Sequence, residues 1–278
     1  MPISIFVCLI EHATDLHVGN ILFHSSSIAS WSSQKEVYQY LEPPCRYNVH
    51  QSETKEPGPL SPHVPEYIVG TPDPTSLLKL CLSDLTQLDI RICDFSEAFI
   101  YIPGINRKVY TPAVYAAPEI LLDDCPSPAS DVWAFAVLFN FLLTCCYIFP
   151  SVQFKDQSNE VLRHMVVVQG KLPEHLWLKW ADRGRYFDDN AQWVADPEKF
   201  PHRLAGRMFG IRSDRMAAGE REIFKSMLWR MVAYEPKERP TMTEVVDLIS
   251  DTWSKSLPRL CPDFASDSPN DELADGFR

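Results

Sequence analysis

Apolar residues recur at helical spacing in three stretches of the second half of the chain: residues 131–149, 161–168 and 222–232. The first stretch is apolar on all sides and ends at Pro150, as expected of a fully buried helix. Thr241 and Glu244 stand at capping-box spacing, which predicts a last helix running to about Trp253. The second half is therefore predicted to be mainly α-helical.

The first third of the chain has a different pattern. Residues 88–96 alternate apolar and polar side chains, which predicts a strand that ends at the Asp94-Phe95 pair. Serine and proline interrupt residues 24–80 so often that no apolar period survives, apart from a short predicted helix over residues 34–41. A long, partly ordered insertion is therefore expected over residues 24–90.

Composition and charge narrow the class of protein. The 278 residues are 45% hydrophobic and 12% aromatic, enough for a substantial core, and the net charge of -11 argues against direct nucleic-acid binding. The apolar residues 1–10 have no basic neighbours and are too few for a membrane span, so we expect the end of a buried helix. Polar residues inside 131–149 likewise favour a globular helix over a membrane span.

Cysteine usage suggests an intracellular protein. None of the eight cysteines forms a CxxC pair, which makes a zinc site improbable. Cys145 and Cys146 stand in an apolar run, which predicts buried, reduced thiols in the cytoplasm, the nucleus or both.

Candidate catalytic residues occur in five short signatures. Asp15 and Asn20 stand five apart in a short polar loop, the spacing of a catalytic loop in which an Asp orients a hydroxyl and an Asn holds magnesium. Four further signatures follow in order: Asp94-Phe95-Ser96, Ala117-Pro118-Glu119, Asp131-Val132-Trp133-Ala134-Phe135 and Pro236-x-x-Arg239-Pro240.

The ordered set resembles the C-terminal lobe of eukaryotic protein kinases. Thr14, the insertion and the stretch 114–119 are most similar to the fungal SR-protein-specific kinases, which phosphorylate Ser/Thr. The resemblance implies an α+β, mainly α fold: a kinase C-terminal lobe over residues 1–256, without a recognisable N-terminal lobe, and an acidic flexible tail over 257–278. It also implies transfer of the ATP γ-phosphate to proteins, Ser/Arg-rich ones among them, with Mg²⁺. It implies nothing about oligomeric state.

The resemblance assigns a role to each site residue. Asp15 would accept or orient the proton of the substrate hydroxyl, and His17 stands where kinases usually keep a phosphate-contacting Lys. Asn20 and Asp94 would bind the nucleotide through Mg²⁺, for which they supply hard oxygen ligands.

Three further residues are expected to be structural. Glu119 and Arg239 would form a buried ion pair. Asp131 would cap the buried helix and hydrogen-bond back to the catalytic-loop backbone.

Departures from the family pattern leave alternatives open. The sequence contains no G-x-G-x-x-G loop and no lysine-bearing strand before Asp15, so we expect a kinase catalytic region that is truncated in this chain. Ser96 replaces a glycine, Ala13 a histidine, and Pro112 stands where a threonine is usual. One alternative is a catalytically inactive pseudokinase fragment that acts by protein binding; another is a small-molecule phosphotransferase.

Overall fold

A computed structural model describes the chain in ten ranges: residues 15–41, 44–49, 63–71, 73, 75–82, 88–105, 107–122, 125–151, 156–195 and 218–253. The predicted N-terminal helix end, residues 1–10, and the acidic tail, residues 257–278, lie outside them. The chain divides into two compact units, one of residues 19–93 and the other of residues 1–18 together with 94–278.

The smaller unit, residues 19–93, contains two antiparallel ribbons. Strand β1 (Ile21–Ser25) pairs with β4 (Leu88–Ile92), and β2 (Arg46–Asn48) pairs with β3 (Tyr67–Val69). The Cys93 amide donates to the Asn20 carbonyl at 2.9 Å. Both ends of this unit therefore lie side by side.

Three short helices complete the described part of this unit: α1 (Ser26–Ala29), α2 (Gln34–Tyr38) and α3 (Thr75–Leu82). The predicted helix over residues 34–41 is confirmed as α2, although it is shorter than expected. Ser33 and Glu36 form a capping box at its start, in which the Ser33 amide donates to Glu36 Oε2 at 2.8 Å.

The larger unit is helical. Its α-helices, among the described residues, are α4 (Pro118–Leu121), α5 (Pro128–Thr144), α6 (Gln157–Gln169), α7 (Glu174–Lys179), α8 (Ala218–Met231) and α9 (Met242–Trp253). The three helical stretches and the last helix expected from the sequence are confirmed. The capping box at α9 is also present, because the Thr241 amide donates to Glu244 Oε2 at 2.7 Å and the Glu244 amide to Thr241 Oγ1 at 3.3 Å. Within the described residues the fold is helical with little sheet, as expected.

Helix α5 is the centre of the core in this unit. Trp133, Ala136, Val137 and Leu138 are fully buried, and the Trp133 ring stacks on Phe149 with centroids 5.3 Å apart. The expectation that Asp131 caps this helix is wrong. Ser127 is the N-cap and shares a capping box with Ser130, because Pro128 occupies the first helical position and places Asp131 within the first turn.

The predicted burial of two cysteines is also wrong. Helix α5 ends at Thr144, Cys145 adopts a left-handed conformation (φ 56°), and both Cys145 and Cys146 are exposed. The backbone leaves the helix at this point, so the two thiols turn to solvent, although Ile148 and Phe149 of the same run are buried.

Glu119 and Arg239 form a two-pronged ion pair, as the sequence predicts. Arg239 Nη1 and Nη2 donate to Glu119 Oε1 and Oε2 at 2.7 and 2.8 Å. Ser130 Oγ donates to Glu119 Oε1 at 2.8 Å, and Arg239 also donates to the carbonyls of Ala129, Ala233 and Tyr234. Since both charges are buried and have several hydrogen-bond partners, the pair fixes α4 against α5 and the turn before α9.

Helix α6 carries a second buried polar cluster. Glu160 Oε2 accepts from Arg163 Nη2 at 2.7 Å, and His164 Nε2 lies 3.2 Å from the same Arg163 nitrogen. All three side chains are buried. Burial first, then the Arg163 charge, lowers the pKa of His164 to about 4.

Among the helices of the described residues, none is long and apolar enough to cross a membrane.

We predict that Arg239→Ala lowers the free energy of unfolding by about 3–5 kcal/mol, because it leaves the Glu119 carboxylate buried without its charge partner. Urea denaturation of the native and variant chains measures this. Lys225→Ala is the matched control, since it breaks the exposed Lys225–Glu222 pair and is expected to cost less than about 1 kcal/mol. Equal costs for the two variants would contradict the structural role of the buried pair.

We also predict that His164 makes the chain less stable in acid. Its folded-state pKa is lowered, so the unfolded state binds the proton first as the pH falls below about 6.5, and stability is lost between that pH and about 4. At pH 5 the loss is about 2 kcal/mol. Urea unfolding at pH 7.5 and pH 5 should show this loss in the native chain and not in His164→Gln.

Replacement of the exposed His175 by Gln is the control for this measurement. The control should keep the native pH dependence. If His164→Gln keeps it too, then protonation of His164 is not the cause.

Candidate active site

Asp15 lies at the start of the described chain, on a loop held in place by a buried neighbour. Leu16 is 3% exposed and packs into the core, whereas the Asp15 side chain remains 19% exposed. Burial is the largest cause that raises the pKa of Asp15; His17 opposes it, and Glu97 and Asp94 reinforce it. The carboxylates of Asp94 and Glu97 are thus both close enough to act on Asp15.

His17 lies beside Asp15. Its Nε2 is 3.5 Å from Asp15 Oδ2, and its ring lies 5.9 Å from that of Tyr115 at a tilt of 40°. It also acts electrostatically on Asp94. The structure therefore brings three of the four predicted site residues, Asp15, His17 and Asp94, together in the larger unit.

Tyr115 supports this loop, and the sequence analysis did not single it out. Its hydroxyl accepts a hydrogen bond from the Val18 amide at 3.4 Å, and its ring packs edge-on against Tyr147 with centroids 5.5 Å apart. Only 3% of Tyr115 is exposed, and this burial raises its pKa. The sequence signal for Tyr115 was its place four residues before Glu119. That signal does not show that the Tyr115 hydroxyl accepts a hydrogen bond from Val18, which is far away in sequence.

Asp94 has an unusual backbone conformation. It adopts φ 57°, which aspartate tolerates better than most residues, and it follows directly after β4 and Cys93. Its Oδ1 accepts from Ser96 Oγ at 2.6 Å and from the Ser96 amide at 3.4 Å. These bonds, the hydroxyl first, lower the pKa of the exposed Asp94 carboxyl. The side chain is therefore ionised at neutral pH.

Asn20 belongs to the smaller unit, residues 19–93. It ends the 3₁₀ turn Val18–Asn20, is 7% exposed, and its carbonyl accepts from both the amide and the sulfur of Cys93. Its part in metal binding stays a prediction.

The donor set suits a metal that takes few protein ligands. The described residues contain no group of three or more His, Cys, Asp or Glu side chains that could enclose a metal ion. Magnesium usually keeps several waters and takes one or two carboxylates plus substrate phosphates. The ionised oxygens of Asp94 fit that requirement, although one of them is already hydrogen-bonded to Ser96.

Two of the remaining predicted residues, Asp131 and Glu119, lie near the end of the segment that starts at Asp94. A small cavity separates Tyr115 from the first turn of α5 and is lined by Asp131, Ser130, Val109 and Thr111. Glu119 lies just beyond this cavity, in α4. These residues position the segment that starts at Asp94.

Comparison with known proteins identifies a family for most of the larger unit. The family model described as protein kinase domain matches residues 80–249, more than half of the chain. The match contains Asp94, Glu119, Asp131 and Arg239 and leaves out residues 15–20.

A relative from Dictyostelium discoideum, a probable serine/threonine-protein kinase (roco9), is 29% identical over 96 residues. That match spans 34% of this chain but only 3% of the relative. With a family match over residues 80–249, the chain belongs to the protein kinase domain family.

Proposed function

We propose that the chain is the catalytic region of an ATP- and Mg²⁺-dependent protein serine/threonine kinase. The proximity of the Asp15 and Asp94 carboxylates carries this proposal, because the charge of Asp94 acts on Asp15 although 78 residues separate them in sequence. The family match and the probable serine/threonine kinase relative support the same activity.

In this proposal Asp15 orients the hydroxyl of the substrate and takes its proton. Phosphoryl transfer depends on positioning more than on a strong base, so a carboxylate suffices. The partial burial of Asp15 raises its pKa and thereby its proton affinity. Tyr115 holds the backbone of this loop through the Val18 amide.

His17 supplies the positive charge nearest to Asp15 among the described pairs. In its protonated form it would donate a hydrogen bond to the transferred phosphate, in place of the usual Lys ammonium. In the same form its charge would favour the ionised Asp15, 3.5 Å away.

Asp94 would hold the metal. Bound Mg²⁺ would neutralise phosphate charge, which is the chemistry that the residues alone do not supply. Asp94 keeps its negative charge at neutral pH, and Ser96 orients its Oδ1. Binding of metal through that oxygen would require the Ser96 hydroxyl to turn away.

The finer features rest on the resemblance. A kinase lobe over residues 1–256 with an insertion at 24–90, a fungal SR-protein-specific subtype and Ser/Arg-rich substrates are proposals of this kind. So is a cytoplasmic or nuclear location, and the exposure of Cys145 and Cys146 removes one argument for it.

A catalytically inactive binding protein is the second candidate. The observation that favours it is the 2.6 Å bond from Ser96 Oγ to Asp94 Oδ1, which occupies an oxygen that a metal would need. The absence of a G-x-G-x-x-G sequence points the same way. For a small-molecule phosphotransferase, no described feature offers comparable support.

We predict that Asp94→Asn and Asp15→Asn separate metal binding from catalysis. Mg²⁺-ATP should raise the melting temperature of the native chain and of Asp15→Asn, but not that of Asp94→Asn, because in this proposal the metal is held by Asp94 and not by Asp15. Phosphate transfer to a Ser-containing peptide should fall by about 10²–10⁴-fold in Asp15→Asn. Differential scanning fluorimetry and mass spectrometry of the peptide measure the two effects.

Asp251→Asn, an exposed substitution on α9, is the control and should match the native chain in both assays. A native chain that binds Mg²⁺-ATP without transferring phosphate would be a pseudokinase. Transfer to an amino alcohol and not to peptides would favour the small-molecule alternative. No response to Mg²⁺-ATP at millimolar concentration would refute the kinase proposal for this chain.

We further predict that Ser96→Ala raises the pKa of Asp94 toward the ordinary aspartate value, because the hydroxyl hydrogen bond that stabilises the charged form is lost. It should also tighten the apparent affinity for Mg²⁺, since Oδ1 is released. Carboxyl NMR titration of Asp94 measures the first effect and calorimetric Mg²⁺-ATP titration the second. If the Asp94 pKa is unchanged, then the Ser96 bond does not control this carboxylate.

A further inference from the structure

The segment that follows Asp94 exposes three isoleucines at a tight turn. Ile100, Ile102 and Ile105 are 74%, 53% and 57% exposed. The Ile105 amide donates to the Ile102 carbonyl at 3.1 Å, and Gly104 adopts φ 82°, as the third position of a type II turn requires. Pro103 occupies the second position, which it favours. We call residues 99–110 the isoleucine loop.

Two cations of this loop lie against aromatic rings. The Arg107 guanidinium lies 4.8 Å from the centroid of the Phe99 ring, which joins the two sides of the turn. Lys108 Nζ lies 5.5 Å from the Tyr110 ring, and Tyr110 is 68% exposed. The Arg107–Phe99 contact therefore links the two sides of the loop that carries the exposed isoleucines.

The strand-like end of the loop separates an inner from an outer face. Val109 and Thr111 line the small cavity against Tyr115 and α5, so the alternate residues Lys108 and Tyr110 face solvent. The outer face thus combines aliphatic, aromatic and cationic groups.

The charge of this region is opposite to that of the chain. Residues 98–118 contain Arg107 and Lys108 and no acidic residue, whereas the whole chain has a net charge of -11. The loop begins beside Asp94 and Glu97, whose charges act on Asp15. A partner bound to the loop would therefore contact the same segment of the chain that carries Asp94 and Glu97.

A cluster of exposed aliphatic side chains bordered by charge is typical of a protein interaction surface. Charge complementarity selects the partner: acidic groups would pair with Arg107 and Lys108, whereas arginines would be repelled. The position next to Asp94 favours a partner whose hydroxyl is to be phosphorylated.

We propose that the isoleucine loop docks a protein segment rich in apolar and acidic side chains, and that this segment belongs to the substrate. The docking itself stands on the loop alone; only its identification as substrate rests on the proposed kinase function. This class of substrate differs from the Ser/Arg-rich class that the resemblance implies.

Fluorescence anisotropy with the full chain, without nucleotide, tests the proposal. Two labelled peptides serve as probes, one of Leu, Ile, Glu and Asp around a central Ser, the other of Arg-Ser repeats. The acidic apolar peptide should bind about tenfold or more tightly than the Arg-Ser peptide. Lys108→Glu should remove or invert this preference, and Ile100→Ser with Ile105→Ser should weaken binding of the acidic peptide about tenfold.

Lys35→Glu and Leu178→Ser are the matched controls, an exposed cation and an exposed leucine elsewhere in the chain. They should leave both affinities unchanged, and equal melting temperatures would show that every variant folds. Tighter binding of the Arg-Ser peptide, binding of neither peptide, or an unchanged preference in Lys108→Glu would overturn the proposal. Because no ATP is present, these outcomes are independent of whether the chain transfers phosphate.

Discussion

The buried pair of Glu119 and Arg239 is the constraint on which the larger unit depends. Removing either partner would leave a charge in the core, so the chain must bring α4, the start of α5 and the turn before α9 to the same place. Tyr115 precedes α4 by only three residues. The ion pair thus fixes the end of the segment whose other end is Asp94, and the stability of the core determines the geometry of the site.

The candidate site places several carboxylates near one another. Asp94 and Glu97 both act on Asp15, and one environment raises the pKa of Asp15 while another lowers that of Asp94. Such divergence between neighbouring carboxyl groups is the usual basis for assigning one as a proton acceptor and the other as a permanently charged ligand. His17, 3.5 Å from Asp15, opposes the effect of these carboxylates on Asp15.

The sequence predicted what local patterns specify. Helix α5 and the capping box of Thr241 and Glu244 followed from spacing, whereas the Glu119–Arg239 pair was implied by the resemblance to a kinase lobe. The sequence analysis misplaced the N-cap of α5 at Asp131. Ser127 is the N-cap and Pro128 follows it, so that Asp131 lies inside the first turn. The sequence could not show that Tyr115 reaches Val18 or that Ser96 holds Asp94, because these contacts depend on how the segment folds back.

The isoleucine loop could have been noticed in part. Ile102-Pro103-Gly104-Ile105 has the residues of a type II turn, yet only the structure shows that its isoleucines remain uncovered among the described residues. The expectation that apolar residues are buried fails at this turn, as it failed at Cys145, because neither position lies within a packed helix or strand.

The most direct test of the central claim is paramagnetic broadening by Mn²⁺ in place of Mg²⁺, with ATP present and the aspartate carboxyl carbons labelled. If Asp94 and Asp15 meet the metal-nucleotide complex, then their carboxyl resonances should broaden first, while that of the distant Asp251 stays sharp. Equal broadening of all exposed aspartates, or none at Asp94, would contradict a nucleotide-metal site at these residues.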